Sequence, residues 1–242
     1  MAAKTISHFL PVSTRSRGEC DRHYMEVHTR FARRFLREMD DVVAYHVGLA
    51  TAEYDLSGDW RQEPRAFRFI VMRTTGGPLR LPPELGEVIA QDHRNFLREL
   101  RQFSVEEQVL VDELRGQTAL VTYLFEFDRA GTDDPAEARR RLDAGMARLR
   151  DEAAHAFGLR LLVVNRVLDE RATEPIDEPG QRPLPRLLPE TTKQAFVELW
   201  FDQQEWAEEW FRRPAVRAVL QDRAWALARG YRIDESCGLD RR

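Results

Sequence analysis

Cysteine is nearly absent from this 242-residue chain: Cys20 and Cys237 stand at opposite ends, with no CxxC or other metal-ligand spacing. Neither a disulfide framework nor a zinc site is indicated. Long apolar runs are missing too. None approaches the roughly 18 residues of a membrane span, and the opening MAAKTISHFLPVSTR has neither the apolar stretch nor the cleavage pattern of a secretory signal. The expectation is a cytoplasmic protein with no membrane partner. A strong charge of one sign is also lacking. Lysine plus arginine, nearly all arginine, total 37 against 41 aspartate plus glutamate, a net charge of −4 that gives no electrostatic reason to expect nucleic acid. GxSxG, P-loop, GxGxxG and HExxH are all absent, and the histidines and carboxylates form no compact metal pattern. Hydrolase, nucleotide-dependent and metal-dependent chemistry are correspondingly disfavoured, and no cofactor is expected.

What the chain does have is a core. With 43% hydrophobic and 32% charged residues it is neither disordered nor collagen-like. Its length allows one large domain or two small ones at about 150 residues per domain. Lys4 to Val12 alternates with the period of a strand. From Cys20 to Met39 the residues Tyr24, Val27, Phe31, Phe35 and Met39 recur at spacings of three and four, predicting an amphipathic helix with that stripe buried. Val42 to Ala50 and Phe67 to Met72 predict strands, with a loop over Ala52 to Pro64 between them. Glu84 to Leu100 predicts a helix and Val105 to Leu114 a strand. The order is βαββαβ.

The second half repeats it. Thr118 to Phe127 alternates as a strand. Asp133 or Asp134 before Pro135 caps a helix to Phe157 whose stripe is Leu142, Met146, Leu149 and Ala153. Leu159 to Leu168 and Gln194 to Phe201 are strands, separated by a proline-rich loop from Asp169 to Glu190. Glu205 to Ala228 is helical with a break at Pro214, and Tyr231 to Glu235 closes the pattern. Two units are therefore expected, residues 1–115 and 116–242, each ferredoxin-like with one bare sheet face. The fold class is α+β: tandem βαββαβ repeats that cover each other sheet to sheet as a barrel within one chain.

The densest chemistry lies on the first helix, Asp21-Arg22-His23-Tyr24-Met25-Glu26-Val27-His28. Tyr24 and His28, one turn apart, share the face turned to the sheet. His23 is expected to face partly outward. On the second strand, Ala44, His46 and Gly48 share one face, so His46 projects from very small neighbours. If that face meets the helices His46 shares a cavity with His28; if it looks into the barrel it packs and hydrogen-bonds. His8 carries the same two alternatives. Arg68, Glu126, Asn165, Arg166 and Glu198 also fall within strands, and some of them are expected to pair across the interface between the repeats. Trp206 and Trp210, at i and i+4, read as core or as the border of an aromatic ligand site.

Asp-x-His-Tyr, then His28, a continuing helix, a short link and the strand AYHVGLA resemble the EthD-like family of dimeric α+β barrel proteins. The resemblance covers residues 4–115, and the second half through element order. It implies units that associate sheet to sheet, usually between two chains and here as an intrachain pseudo-dimer or a homodimer. It further implies a small organic ligand, often aromatic or polyketide-like, and cofactor-free decarboxylation, dehydration, cyclisation or oxygenation, as an enzyme or as a binding accessory protein. The family's helix histidine carries over to His28, with Tyr24 and His23 the other motif matches. The substrate-binding candidates are thus His8, His23, His46 and Trp206, around catalytic His28 and Tyr24. The chain departs from the family in lacking a proline shortly after His28. Its second half lacks Asp-x-His-Tyr, so no second active site is expected. Chlorite-dismutase-like and dye-peroxidase-like haem proteins also use two such repeats. A haem ligand would fall on a second-half helix, where His155 is the one candidate, two positions off the buried stripe.

Overall fold

The structure, a computed structural model, describes residues 3–54, 60–61, 64, 68–75, 82–115, 120–129, 134–173, 186–188, 191–222, 225 and 227–240. Phe67, Thr118, Asp133, most of the loop from Asp169 to Glu190, and the side chains of Phe31 and Cys237 lie outside the described residues. The first unit runs β1 (Ala3–Pro11), α1 (Arg17–His23), a π-helical segment (Tyr24–His28), α2 (Thr29–Glu38), β2 (Val42–Tyr54), the two-residue β3 (Trp60–Arg61), β4 (Arg68–Thr74), α3 (Pro83–His93) and β5 (Leu97–Asp112). The second runs β6 (Val121–Asp128), α4 (Pro135–Ala153), β7 (Leu159–Thr173), the short β8 (Arg186–Leu187), β9 (Lys193–Phe201), α5 (Gln204–Arg212), α6 (Pro214–Leu220) and β10 (Leu227–Asp240).

Eight antiparallel strands follow the order β10-β6-β9-β7-β5-β1-β4-β2, and β2 pairs with β10 to close the ring. The two sheets meet edge to edge, β5 on β7 and β2 on β10, so among the described residues no main strand is left with a free edge. These four junction strands are the long ones, 16, 15, 13 and 14 residues. That length corrects several boundaries. Ala52 to Tyr54 and Asp169 to Thr173 continue strands instead of forming loops, and Ala228 belongs to β10 instead of the last helix. Helix α3 ends at His93, and Leu97 already starts β5. Asp134 is the cap of α4, its side chain accepting from the Ala136 N–H with Pro135 at the first turn.

Alternation divides the side chains between two environments. Ile6, Ala50, Phe69, Phe103, Leu124, Phe196, Tyr231 and Ile233 fill the barrel interior. Opposite faces of the same strands bury against helices, as Tyr45, Val47, Ile70 and Met72 do in the first unit. Under the second unit's helices Phe201, Trp210, Phe211 and Trp225 pack a larger aromatic layer. The barrel interior also holds ions. Lys4 pairs with Glu198 and Glu107, and Lys193 donates to Glu126 and Asp128, each at 2.8 Å. These two lysines, the only ones in the chain, are both buried. Buried charge is tolerable when it is paired and hydrogen-bonded. Tyr231 adds a 2.9 Å hydrogen bond to Glu126. Burial opposes the charge of Glu126, but Lys193, His8 and Arg229 outweigh it and hold its pKa down to about 2.

Candidate active site

The first helix buries Cys20, Tyr24, His28, Ala32 and Leu36, a step of four each time. At 3.6 residues per turn such a stripe drifts by about 40° per step, so an unbroken α-helix would carry its far end off the sheet. The π-helical segment Tyr24–His28 absorbs the drift: the Thr29 N–H reaches back five residues to the Tyr24 carbonyl. Thr29 Oγ1 donates to the Met25 carbonyl at 2.6 Å within the same wide turn. Val27, expected in the buried stripe, is consequently 43% exposed. Tyr24 and His28 both face inward, ring centroids 5.1 Å apart.

The wide turn sits against the end of α3. His28 Nδ1 is 2.8 Å from Asp92 Oδ2, and His23 Nε2 is 2.7 Å from Asp92 Oδ1. His23 is therefore not a solvated surface residue; it bonds Asp92 and stacks on Phe96 at 5.6 Å. Burial works to raise the Asp92 pKa, but the hydrogen bonds from His28 and His23 outweigh it and hold the carboxyl below its ordinary value. His93, next along, packs 5.1 Å from His28 and edge-on to Phe9 and Phe96. Burial, reinforced by the nearby charge of His28, pushes His93 down to about 3, so it is neutral near pH 7. The Tyr24 hydroxyl lies 3.2 Å from that of Tyr45, and burial raises the pKa of both phenols. Arg68, paired with Asp21, covers the Tyr24 ring at 4.4 Å.

Between these helices and the sheet lies a cavity of about 130 Å³. His28 and His93 project into it from the helices; Ser7, Tyr45 and Gln102 do so from the strands; Phe35, Leu36, Ile70, Met72, Ile89 and Leu100 supply apolar walls. Of the sequence-derived candidates, His28 lines the cavity and Tyr24 and His23 stand directly behind it. His8 and His46 do not join them. His8 points into the barrel, stacked on Phe69 at 4.9 Å, where burial lowers its pKa to about 4. His46 takes the barrel alternative as well, 2.7 Å from Glu235. The space beside it is filled, since a β-carbon on Gly48 would come within 2.5 Å of Ile233. Trp206 lies on α5 of the other unit, against Phe157 at 4.4 Å and over Gly158, whose φ of 72° suits glycine. Asp92, His93, Tyr45, Ser7 and Gln102 were not singled out by the sequence. Asp92, His93 and Gln102 come from elements remote from the Asp-x-His-Tyr motif, and the fold brings them to it together with Ser7 and Tyr45 on the strands flanking the first helix.

The second unit offers a different surface. A cleft of about 450 Å³ between α4 and α6 is lined by Arg141, Ala144, Gly145, Arg148, Val219, Asp222 and Trp225, without a histidine. His155 lies exposed beyond the end of α4. With that ring in solvent and the layer beneath the helices packed by Trp210, Phe211 and Trp225, the residues present do not fit a haem there. Among the described residues no cluster of histidine, cysteine and carboxylate could hold a metal ion, and no helix is long and apolar enough to cross a membrane.

No protein-family model matches the chain, and no curated protein sequence is similar to it. Solved structures do match along nearly the whole length. An anthrone oxidase-like protein superposes with a TM-score of 0.57 at 14% identity, over 100% of this chain and 95% of the other. A candidate monooxygenase from Lactobacillus acidophilus NCFM gives 0.52 at 9% identity, over 98% and 95%. A chlorite dismutase mutant from Candidatus Nitrospira defluvii gives 0.51 at 10% identity, over 96% and 90%. These likenesses establish the fold. It is an α+β barrel with both halves in one chain.

Proposed function

We propose that the chain is a cofactor-independent enzyme of small-molecule metabolism in which His28 transfers a proton to or from a phenol or enol held in the first unit's cavity. The observation that supports this most directly is the Asp92–His28 pair at the wall of a mostly apolar cavity. With its Nδ1–H donated to Asp92, the imidazole carries its lone pair on Nε2, the arrangement in which a carboxylate fixes the tautomer of a base. Asp92 stays ionised, so it stabilises the imidazolium that forms without taking its proton. Tyr45 lines the same cavity, and its hydroxyl, kept protonated by burial, is suited to donate to a developing oxyanion. The cavity is close to the ~150 Å³ that accommodates a benzene ring and well below the ~300 Å³ of drug-sized pockets, which favours a single ring.

Dehydration, cyclisation, isomerisation and decarboxylation all begin or end with such a proton transfer. Two of the structural neighbours carry oxidase or monooxygenase names, and a phenolate formed at the same site would equally precede oxygenation. The test is exchange of ring hydrogens on dihydroxybenzenes in D2O, followed by proton NMR. The intact protein should accelerate exchange, and His28→Gln should reduce that acceleration by about 10²–10⁴-fold. An unchanged rate removes His28 from the chemistry. Binding with no exchange at all makes the chain a binding protein.

A further inference from the structure

The cavity has two polar regions, and the proposed acid–base chemistry uses only one of them. Phe9 and Leu100 pair across β1 and β5 below His93, and the next pair on the same face is Ser7 with Gln102. One pleat repeat, about 7 Å along the strands, separates the two pairs. Residues directly opposite on an antiparallel pair hold their side chains together on one face. Both Ser7 and Gln102 line the cavity from the sheet, whereas His28 and His93 line it from the helices. Ser7 is only 5% exposed, and among the described residues neither its hydroxyl nor the Gln102 amide has a hydrogen-bond partner. Polar ends that line a cavity and bond no protein group are placed to bond a ligand atom that enters it. Among the described residues no lysine, arginine, aspartate or glutamate lines the cavity.

We infer that Ser7 and Gln102 form a specificity site for a second, uncharged oxygen on the substrate, so that the ligand is a neutral single ring bearing oxygen substituents at two separate positions. A hydroxyl can donate to or accept from this pair and a ketone can accept from it, because Ser and Gln each offer donor and acceptor. A carboxylate would find no cation there. This narrows the chemistry toward tautomerisation, dehydration or cyclisation of phenolic or enolic rings and away from carboxylated aromatics. The inference rests on reading the cavity as the site at which His28 acts.

Binding of resorcinol, hydroquinone, phenol, toluene and benzoate to the full chain, measured by titration calorimetry and ligand-observed NMR, tests it without needing turnover. At least one dihydroxybenzene should bind about tenfold tighter than phenol, and toluene and benzoate should bind more weakly. The double variant Ser7→Ala/Gln102→Leu should bring the dihydroxybenzene to within about threefold of phenol and leave phenol itself unchanged. Ser7→Ala alone, a small deletion that keeps the packing, should produce part of the same loss if the double variant does not fold. The inference is overturned if benzoate or toluene binds as tightly as the dihydroxybenzenes, if no dihydroxybenzene binds, or if the variants keep the tenfold ratio. His28→Gln separates the two readings. Should that variant leave ring-hydrogen exchange unaffected while the ratio still responds to Ser7 and Gln102, the proton-transfer reading fails and the specificity site stands.

Discussion

Asp92 Oδ2 lies 2.8 Å from His28 Nδ1 although 64 positions separate the two residues in the chain, one on a wide helical turn and the other near the end of α3. The second carboxylate oxygen is held by His23. The carboxylate is thus pinned at both ends, which fixes the plane in which the His28 ring is presented to the cavity.

Asp92→Asn should preserve the fold and abolish the advantage of that presentation. An amide in place of the carboxylate can offer an N–H to Nδ1 and hold the wrong tautomer, and it removes the charge that favours the imidazolium. Catalysed ring-hydrogen exchange should fall about 10²-fold or more, with ligand affinity little changed. Nitrogen NMR of the His28 ring should show the tautomer shift, and an unchanged tautomer would contradict the role assigned to Asp92.

Removing Val27 tests the wide turn. This exposed residue lies within the π-helical segment, and its deletion lets the helix return to regular α geometry. The flanking stripes then keep their phase, and the change falls on the turn itself, where His28 comes to lie three positions after Tyr24 instead of four. The variant should melt at a lower temperature and lose the His28–Asp92 tautomer signature together. A deletion that left both intact would mean the wide turn is not what places His28 against Asp92.

How far the sequence reaches is visible in these same residues. The βαββαβ order was legible twice, because strand alternation and helical periodicity are local patterns. The pairing of Tyr24 with His28 was legible for the same reason. Val27 was misplaced because a regular period cannot show one extra residue in a turn. Asp92 was overlooked because it sits among polar helix residues and becomes distinctive only when α3 meets the first helix. His8 and His46 lie on strands whose inward face becomes barrel interior or helix contact according to how the units close, and closure is decided by β5 meeting β7 and β2 meeting β10. The two lysines carried a usable signal: in a chain whose cations are otherwise all arginine, both lie within strands or at their starts, and both are buried.

Acid should weaken the fold from about pH 6.5 downward. His8 is held down to about 4 and His93 to about 3, chiefly by burial, against 6.5 for an ordinary histidine. Below pH 6.5 the unfolded chain binds protons at these positions that the folded chain excludes. The stability they contribute is complete above about pH 6.5 and is lost as pH falls toward 4 and 3. Thermal melts between pH 7.5 and 5 should show a falling Tm, and a His8→Gln/His93→Gln variant should flatten that slope. An identical slope in the variant would mean that neither ring is buried in its neutral form.

Glu126 and Lys193 supply the sharpest stability test, because both are buried inside the barrel and joined at 2.8 Å. Breaking such a pair from one side leaves an uncompensated charge and costs about 3–5 kcal/mol. Glu126→Ala also strands the Tyr231 hydroxyl, which now donates to it. Asp128 still accepts from Lys193, so the lower end of the range is expected. For a chain of this size each kcal/mol moves Tm by roughly 2–4 °C. Adding Lys193→Met to Glu126→Ala replaces the stranded ammonium with an apolar chain of similar length. The double variant should therefore recover part of the loss instead of adding a second one, and a double-mutant cycle reads that coupling directly. Additive losses in the cycle would show that the two charges do not depend on each other, and that the polar interior is held by Arg229, Glu53 and Asp128 without them.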